Sequence, residues 1–296
     1  VAVRLKDDLK HDDVPLLAAG VAFYALLALV PALVALVSVY GLVADPADIE
    51  RNVDDVLAAA PTEVGNLVQS QLEAIVDSSA SGLRIGALVG LAVALWTASS
   101  GMKNLMTAVN RAYHEEESRG FLTLRLTSLL LTLGAMVLGA VAVFALLVAP
   151  SSLDRDGAQG TARSIVEVVR WPVLALVVMV GLAVLYRFGP DRDGARWRWI
   201  SPGAVLATVV WLAASVGFSI YTANFGQYNE TYGALGAVVV VMLWLWLGAY
   251  AVIAGAEING EMERQTVVDT TRGEAEALGE RDAYSADTVG PPADAR

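Results

Sequence analysis

Six stretches of this chain are each long and apolar enough to cross a bilayer, and nothing else in the sequence constrains its fold as strongly. They run Leu16–Val43, Leu83–Val109, Leu122–Ala149, Ile165–Tyr186, Pro202–Phe225 and Gly233–Ile258. A hydrocarbon core of about 30 Å takes roughly 20 helical residues to span. Most charges lie between the stretches, and only 17% of the residues are charged, where a soluble domain carries about 25%. Inside hydrocarbon the backbone must satisfy its own hydrogen bonds, which leaves helices or a closed barrel. Barrel strands alternate polar and apolar residues over about ten positions, and these blocks do not. The expected fold class is all-α: a polytopic membrane bundle of about six transmembrane helices.

Ordinary stop and start signals frame the blocks. Ser201-Pro202 reads as an N-cap with proline in the first turn, and Gly189-Pro190 closes the fourth helix. The first block is too long for a cleaved signal, and no small-residue cleavage site follows it. Between the first two blocks, Val64, Leu67, Val68, Leu72, Ile75 and Val76 recur at helical spacing with polar residues between them. This pattern predicts short amphipathic helices, broken at Pro61, that lie on the membrane or cap the bundle as a lid. The organisation expected is a cytoplasmic N-terminal segment at 1–13, a six-helix transmembrane domain at 14–262 with extracytoplasmic amphipathic helices at 44–82, and a disordered acidic cytoplasmic tail at 263–296. The tail is polar, with nine acidic and four basic residues from Glu261 to Arg296.

The Lys and Arg distribution orients the bundle. With the N-terminus inside, fifteen of these residues flank the cytoplasmic face and five the outer one, the bias expected of a cytoplasmic-membrane protein with both termini cytoplasmic. Trp197 and Trp199 mark one interface, and Tyr228 and Tyr232 the other. The net charge of −11 argues against nucleic acid as a partner. The chain has no cysteine and only His11 and His114 as histidines. His114-Glu115-Glu116-Glu117 therefore reads as a solvated acidic turn rather than a metal site, and no Walker loop, nucleophile elbow or HExxH motif is present. No catalytic residue, metal or cofactor is expected, and the chain reads as a non-enzyme.

Three features could carry transport chemistry. Thr97, Ser100, Asn104, Thr107 and Arg111 share one face of the second helix, with Lys103 beside them. Polar groups at membrane depth are costly unless they face a bundle interior or a wet cavity. The stripe reads either as a cavity lining or as interhelical hydrogen bonding with snorkelling cations. Glu257 lies inside the sixth block near its inner boundary, either as one half of an ion pair or as a coupling group. Pro31 interrupts the hydrogen-bond ladder of the first helix, freeing the Leu27 carbonyl, as a packing kink or as a hinge. The same helix has a smooth side, with Ala18, Ala22, Ala25, Ala28 (or Leu29), Ala32 and Ala35, that suits close packing in lipid.

Several segments occur together in order: Ala22-Phe-Tyr-Ala-Leu-Leu-Ala-Leu-Val-Pro31, Leu95-Trp-Thr-Ala-Ser-Ser-Gly-Met102, Ala108-Val-Asn-Arg-Ala-Tyr113, Tyr186-Arg-Phe-Gly-Pro190, Ser201-Pro-Gly-Ala204, Tyr228-Asn-Glu-Thr-Tyr-Gly233 and Gly255-Ala-Glu-Ile-Asn259. In this combination the chain resembles the YihY/BrkB family of inner-membrane proteins over roughly Val14 to Glu261. Ala28 stands where serine is common in that family. The resemblance implies a six-helix fold in a bacterial cytoplasmic membrane, and it implies no catalytic residue. Family members have carried a ribonuclease label, which the shortage of histidine and the negative charge of this chain argue against. The expected function is a transporter of a lipid-like or anionic envelope component, with the lipid bilayer and an anionic lipid or amphipathic solute as partners. The alternative is a non-catalytic membrane scaffold. A homo-oligomer is compatible with either.

The absence of native cysteine makes the orientation directly testable. Single cysteines at Arg196 and Gln69, probed on intact cells with an impermeant thiol reagent, should react at Gln69→Cys and not at Arg196→Cys. The reverse pattern would invert the topology.

Overall fold

The computed structural model describes Leu9 and residues 12–43, 81–143, 161–224 and 234–290. Within them the chain forms six long helices and one short one: α1 Val14–Val43, α2 Ser81–Ala112, α3 Phe121–Val143, α4 Thr161–Phe188, α5 Trp197–Asn224, α6 Ala234–Glu263 and α7 Tyr284–Asp287. The protein is an all-α membrane bundle. Four helices carry a complete apolar span among the described residues, at Phe121–Ala142, Val168–Phe188, Trp197–Tyr221 and Val238–Glu263, and α1 carries the shorter apolar run Val14–Leu29. The expected amphipathic lid over 44–82 lies outside the described residues apart from the first turn of α2, as do Tyr228 and Tyr232. Pro31 sits within the continuous α1 helix.

The helix surfaces run opposite to those of a soluble protein. Leu122, Leu126 and Leu130 of α3 point outward, as do Val205, Val209, Val216 and Ile220 of α5, whereas Ala18, Ala22, Ala94, Ala98, Ala204, Ala207, Ala251 and Ala256 are buried. Outward apolar side chains meet lipid at no cost, and small inward ones let backbones approach.

The chain divides into two compact units. The second comprises Leu27–Ser100 and Thr132–Val178. In it Ala94, Ala98, Ser99, Thr132 and Leu174 are buried. The first comprises Val1–Leu26, Gly101–Leu131 and Met179–Arg296. Its central contact is the crossing of α5 and α6. A side chain at Gly203 would run into the Gly255 carbonyl, and one at Gly255 would run into the Tyr186 hydroxyl and the Gly203 carbonyl. Polar bonds pin the crossing. The Gly203 N–H donates to Asn259 Oδ1 (2.7 Å), and the Tyr186 hydroxyl donates to the Val252 carbonyl (2.7 Å). Trp246 Nε1 donates to the Pro15 carbonyl (3.0 Å), tying the start of α1 to α6. The segments Tyr186–Pro190, Ser201–Ala204 and Gly255–Asn259 thus meet in one place.

The tail corrects the expectation of disorder drawn from its composition. Asp269, Thr270, Thr271, Arg281, Ala283, Ser285 and Ala286 are buried. The tail folds around Arg281, whose guanidinium donates to the carbonyls of Glu276 (3.2 Å), Ala286 (2.7 Å) and Val267 (2.9 Å). Asp269 accepts from the Thr271 N–H and hydroxyl and from the Glu276 N–H. Asp287 accepts from the Gly279 and Arg281 N–H groups. Asp269 and Asp287, two of the acids that suggest a solvated coil, are spent on the tail's own turns. Residues 291–296 lie outside the described residues.

Replacing Gly255 with valine should cost at least about 1–3 kcal/mol, because the clash is with backbone and a hydroxyl rather than with a flexible tip. A thermal melt of the detergent-purified variant, followed by size-exclusion recovery, measures this. A midpoint equal to the native one would mean that α5 and α6 do not cross at these glycines.

Candidate functional site

The loops and tail of the first unit gather most of the charged chemistry in the described residues, starting from one buried ion pair. Arg192, in the α4–α5 loop, donates to both carboxylate oxygens of Glu263 at the end of α6, at 2.7 and 3.3 Å. The two side chains are 3% and 0% exposed. The Thr270 hydroxyl adds a third bond to Glu263 (2.8 Å), and the Arg192 guanidinium lies 5.1 Å from the centre of the Tyr113 ring. Burial disfavours the Arg192 charge, but Glu263 more than offsets this and holds the guanidinium above its usual range.

A second network joins the α2–α3 and α4–α5 loops. Asn110 accepts from the Asp191 N–H (2.8 Å) and donates to Glu117 (3.0 Å). Asp191 accepts from the Ser118 N–H and hydroxyl, both at 2.6 Å. Arg119 grips Glu117 through two bonds of 2.7 Å and lies 3.6 Å from Asp191. Burial works against ionising Asp191, but these donors prevail and keep its carboxyl below the ordinary range.

The tail closes over both networks. The Arg196 N–H donates to the Thr270 carbonyl (2.9 Å), beside a single antiparallel pairing of Ala195 with Thr271. The Tyr284 N–H donates to Glu115 Oε1 (2.9 Å), and the Tyr284 ring stacks on His114 at 5.1 Å. Glu115 is the strained member. Burial is the main force that pushes its carboxyl up to about 7. Asp282 and Glu263 push the same way, against the attraction of Arg192 and the bond from Tyr284.

At the edge of these networks lies a cleft of about 260 Å³ whose walls include Arg119, Arg187, Asp191, Arg192 and Arg272. Arg187 stacks over Trp197, with 4.5 Å to the ring centre.

The residues singled out from the sequence fall elsewhere. The Thr97 hydroxyl donates to the Val93 carbonyl (2.9 Å), Ser100 to Trp96 (3.1 Å) and Thr107 to Lys103 (3.0 Å), all within α2 itself. Lys103, Thr107 and Arg111 are exposed and Asn104 is half-exposed. The buried face of α2 holds Met106, Val109, Asn110 and then Tyr113. Glu257 is buried on α6, close enough to Tyr113 to act on its phenol, and does not share a surface with Lys103, Thr107 or Arg111. Sequence reasoning passed over Asn110, Tyr113, Arg192, Glu263 and Arg272 as site residues. The first two fall within a segment that carries the family resemblance, and that was the available signal. Nothing local marks Arg192, Glu263 or Arg272.

The chain is similar to known proteins over most of its length. A family model described as Virulence factor BrkB matches residues 5–279. The chain is 32% identical over 255 residues to a ribonuclease-like protein, YfkH, of Bacillus subtilis (strain 168), covering 83% of this chain and 89% of that one. A UPF0761 membrane protein of Tolumonas auensis is 28% identical over 273 residues, covering 89% and 85% of the two chains. Another, from Vibrio cholerae (strain N16961), is 26% identical over 284 residues, covering 94% and 86%. No solved structure matches the chain.

Glu115 makes the docking of the tail sensitive to pH. Its folded value of about 7 lies above the ordinary 4.5. Across that window the folded form holds a proton that the undocked form has released, so docking weakens as pH rises through it and levels off above about 7. Amide exchange at Tyr284, corrected for the intrinsic rate, should show protection falling between about pH 5 and pH 8. Glu115→Gln, which keeps the acceptor oxygen, should flatten the profile. An equal slope in that variant would assign the effect to another group.

Proposed function

The chain belongs to the BrkB family of membrane proteins, and from that premise we propose that it is a transporter-like protein of the cytoplasmic membrane that moves an amphipathic, anionic envelope component. The tail-bearing end faces the cytoplasm in this reading, as the distribution of basic residues favours. The observation that carries the proposal is the outward surface of α2. Lys103, Thr107 and Arg111 are exposed beside half-exposed Asn104, and the Thr107 hydroxyl turns back on its own helix. A polar stripe on the outside of a membrane helix is tolerated where water or polar groups run beside it. A lipid-like solute meets that condition, with its headgroup following the stripe and its chains remaining in hydrocarbon. Nothing in this role calls for catalysis. The ribonuclease-like name of YfkH belongs to that protein and brings no residue to this one.

The scaffold reading has one observation in its favour. Val267, Val268, Leu278 and Val289 of the tail are each exposed, apolar side chains of the kind a cytoplasmic partner covers.

Vesicles containing a fluorescent phosphatidylglycerol distinguish the two. Dithionite quenches label in the outer leaflet, and the remainder fades only as lipid crosses. Vesicles holding the protein should lose the protected fraction faster than empty ones. Lys103 and Arg111 replaced together by glutamine should slow the loss at least about fivefold, corresponding to roughly 1 kcal/mol at the barrier. Crossing no faster than in empty vesicles would remove the transporter reading and leave the scaffold.

A further inference from the structure

We propose that the cleft between Arg187 and Arg272 is a phosphate site that holds the headgroup of an anionic phospholipid. Its role rests on the transport reading above, but its chemistry does not. The case begins with which charges near the cleft are already taken. Arg119 is bound by Glu117 and faces Asp191, and Arg192 is bound by Glu263. Asp191 is occupied by Ser118 and Arg119. Arg187 and Arg272 remain, and among the described residues neither has a carboxylate partner. They lie close enough for the charge of one to act on the other.

Arg187 is only 8% exposed. It gives one N–H to the Ala195 carbonyl and rests its face on Trp197. A buried guanidinium beside a second one, with donors left over, is a costly arrangement without an anion between them. Guanidinium donors match phosphate oxygens in geometry as well as charge. The neighbouring Gly194 leaves open space, since an added side-chain carbon would only touch the stem of Arg272.

The position of the cleft selects the source of the phosphate. Arg187 and Phe188 end one membrane span, Trp197 begins the next, and Phe121 begins a third, two residues after Arg119. The cleft therefore sits at the depth of lipid headgroups. Phe188 in the cleft wall and Trp197 beneath Arg187 are exposed, ready to contact glycerol and the upper acyl chain while the phosphate enters between the arginines. A soluble phosphate would have no use for that apolar rim.

The test uses the full-length protein in a neutral detergent at physiological salt, with short-chain phosphatidylglycerol, short-chain phosphatidylcholine and inorganic phosphate as separate probes. Phosphatidylglycerol should raise the thermal midpoint, and the other two should raise it much less. Arg272→Gln, which gives up no partner among the described residues, should weaken phosphatidylglycerol roughly tenfold, the loss of one charge-assisted contact of about 1.4 kcal/mol. Arg187→Gln should do the same. Arg198→Gln, an exposed arginine outside the cleft, should bind as the native protein does. Equal protection by phosphatidylcholine, or native affinity in both cleft variants, would overturn the site. Equal protection by inorganic phosphate would overturn the lipid assignment. In the vesicle assay, binding without lipid crossing would sink the transport reading and leave the site standing. Lipid crossing that is unchanged in Arg272→Gln would instead remove the site from the transport path.

Discussion

The Arg192–Glu263 pair is the contact on which the tail-bearing end of the protein depends. Removing two charges from water costs several kcal/mol each, and their attraction repays this only when the geometry is good and the remaining donors and acceptors are used. Here the pairing is two-pronged, Thr270 supplies a further donor and the Tyr113 ring supplies a polarisable face. Each of these groups comes from a different segment: the α4–α5 loop, α6, the tail and the end of α2. The pair therefore specifies how four segments meet. Taking away either partner would strand the other in a dry site, at a cost of about 3–5 kcal/mol.

The helices were legible because hydrocarbon leaves the chain so few choices. Each of the six apolar blocks lies within or closely overlaps a helix, and the small-residue segments around Gly203 and Gly255 are where α5 and α6 meet. What was not legible is which face of a membrane helix turns inward. In water the apolar face is buried, so the pattern answers the question. In lipid the signal is size and shape. On α2 the polar stripe drew the eye, yet the buried side contains Ala94, Ala98, Met106 and Val109. Thr97 and Thr107 need no neighbour for their hydroxyls, because a helix carbonyl one turn back accepts each.

The tail was misread for a related reason. Composition counts acids and bases but does not say which donor each acid meets. Asp269 lies twelve positions from Arg281, and the two approach to 3.8 Å. Asp269 and Asp287 are each held by backbone N–H groups that would otherwise need water. A segment with few apolar residues can order itself when an arginine at its centre satisfies three carbonyls and the rest docks on a surface already rich in partners.

The same distinction, between how many charges a protein has and how they are spent, decides what its cleft can bind. A net charge of −11 suggests repulsion of anions, and at long range it does act that way. Within a cleft, however, the field is set by the nearest uncompensated groups, because screening and neighbouring ion pairs cancel the rest over about a Debye length. Glu117, Asp191 and Glu263 are each matched to an arginine. Asp269 is matched to Arg281, and Glu261 to Arg264. Arg187 and Arg272 have no such match among the described residues. An acidic protein can therefore present a locally cationic pocket at headgroup depth, and the anion best suited to it is one anchored in the same membrane.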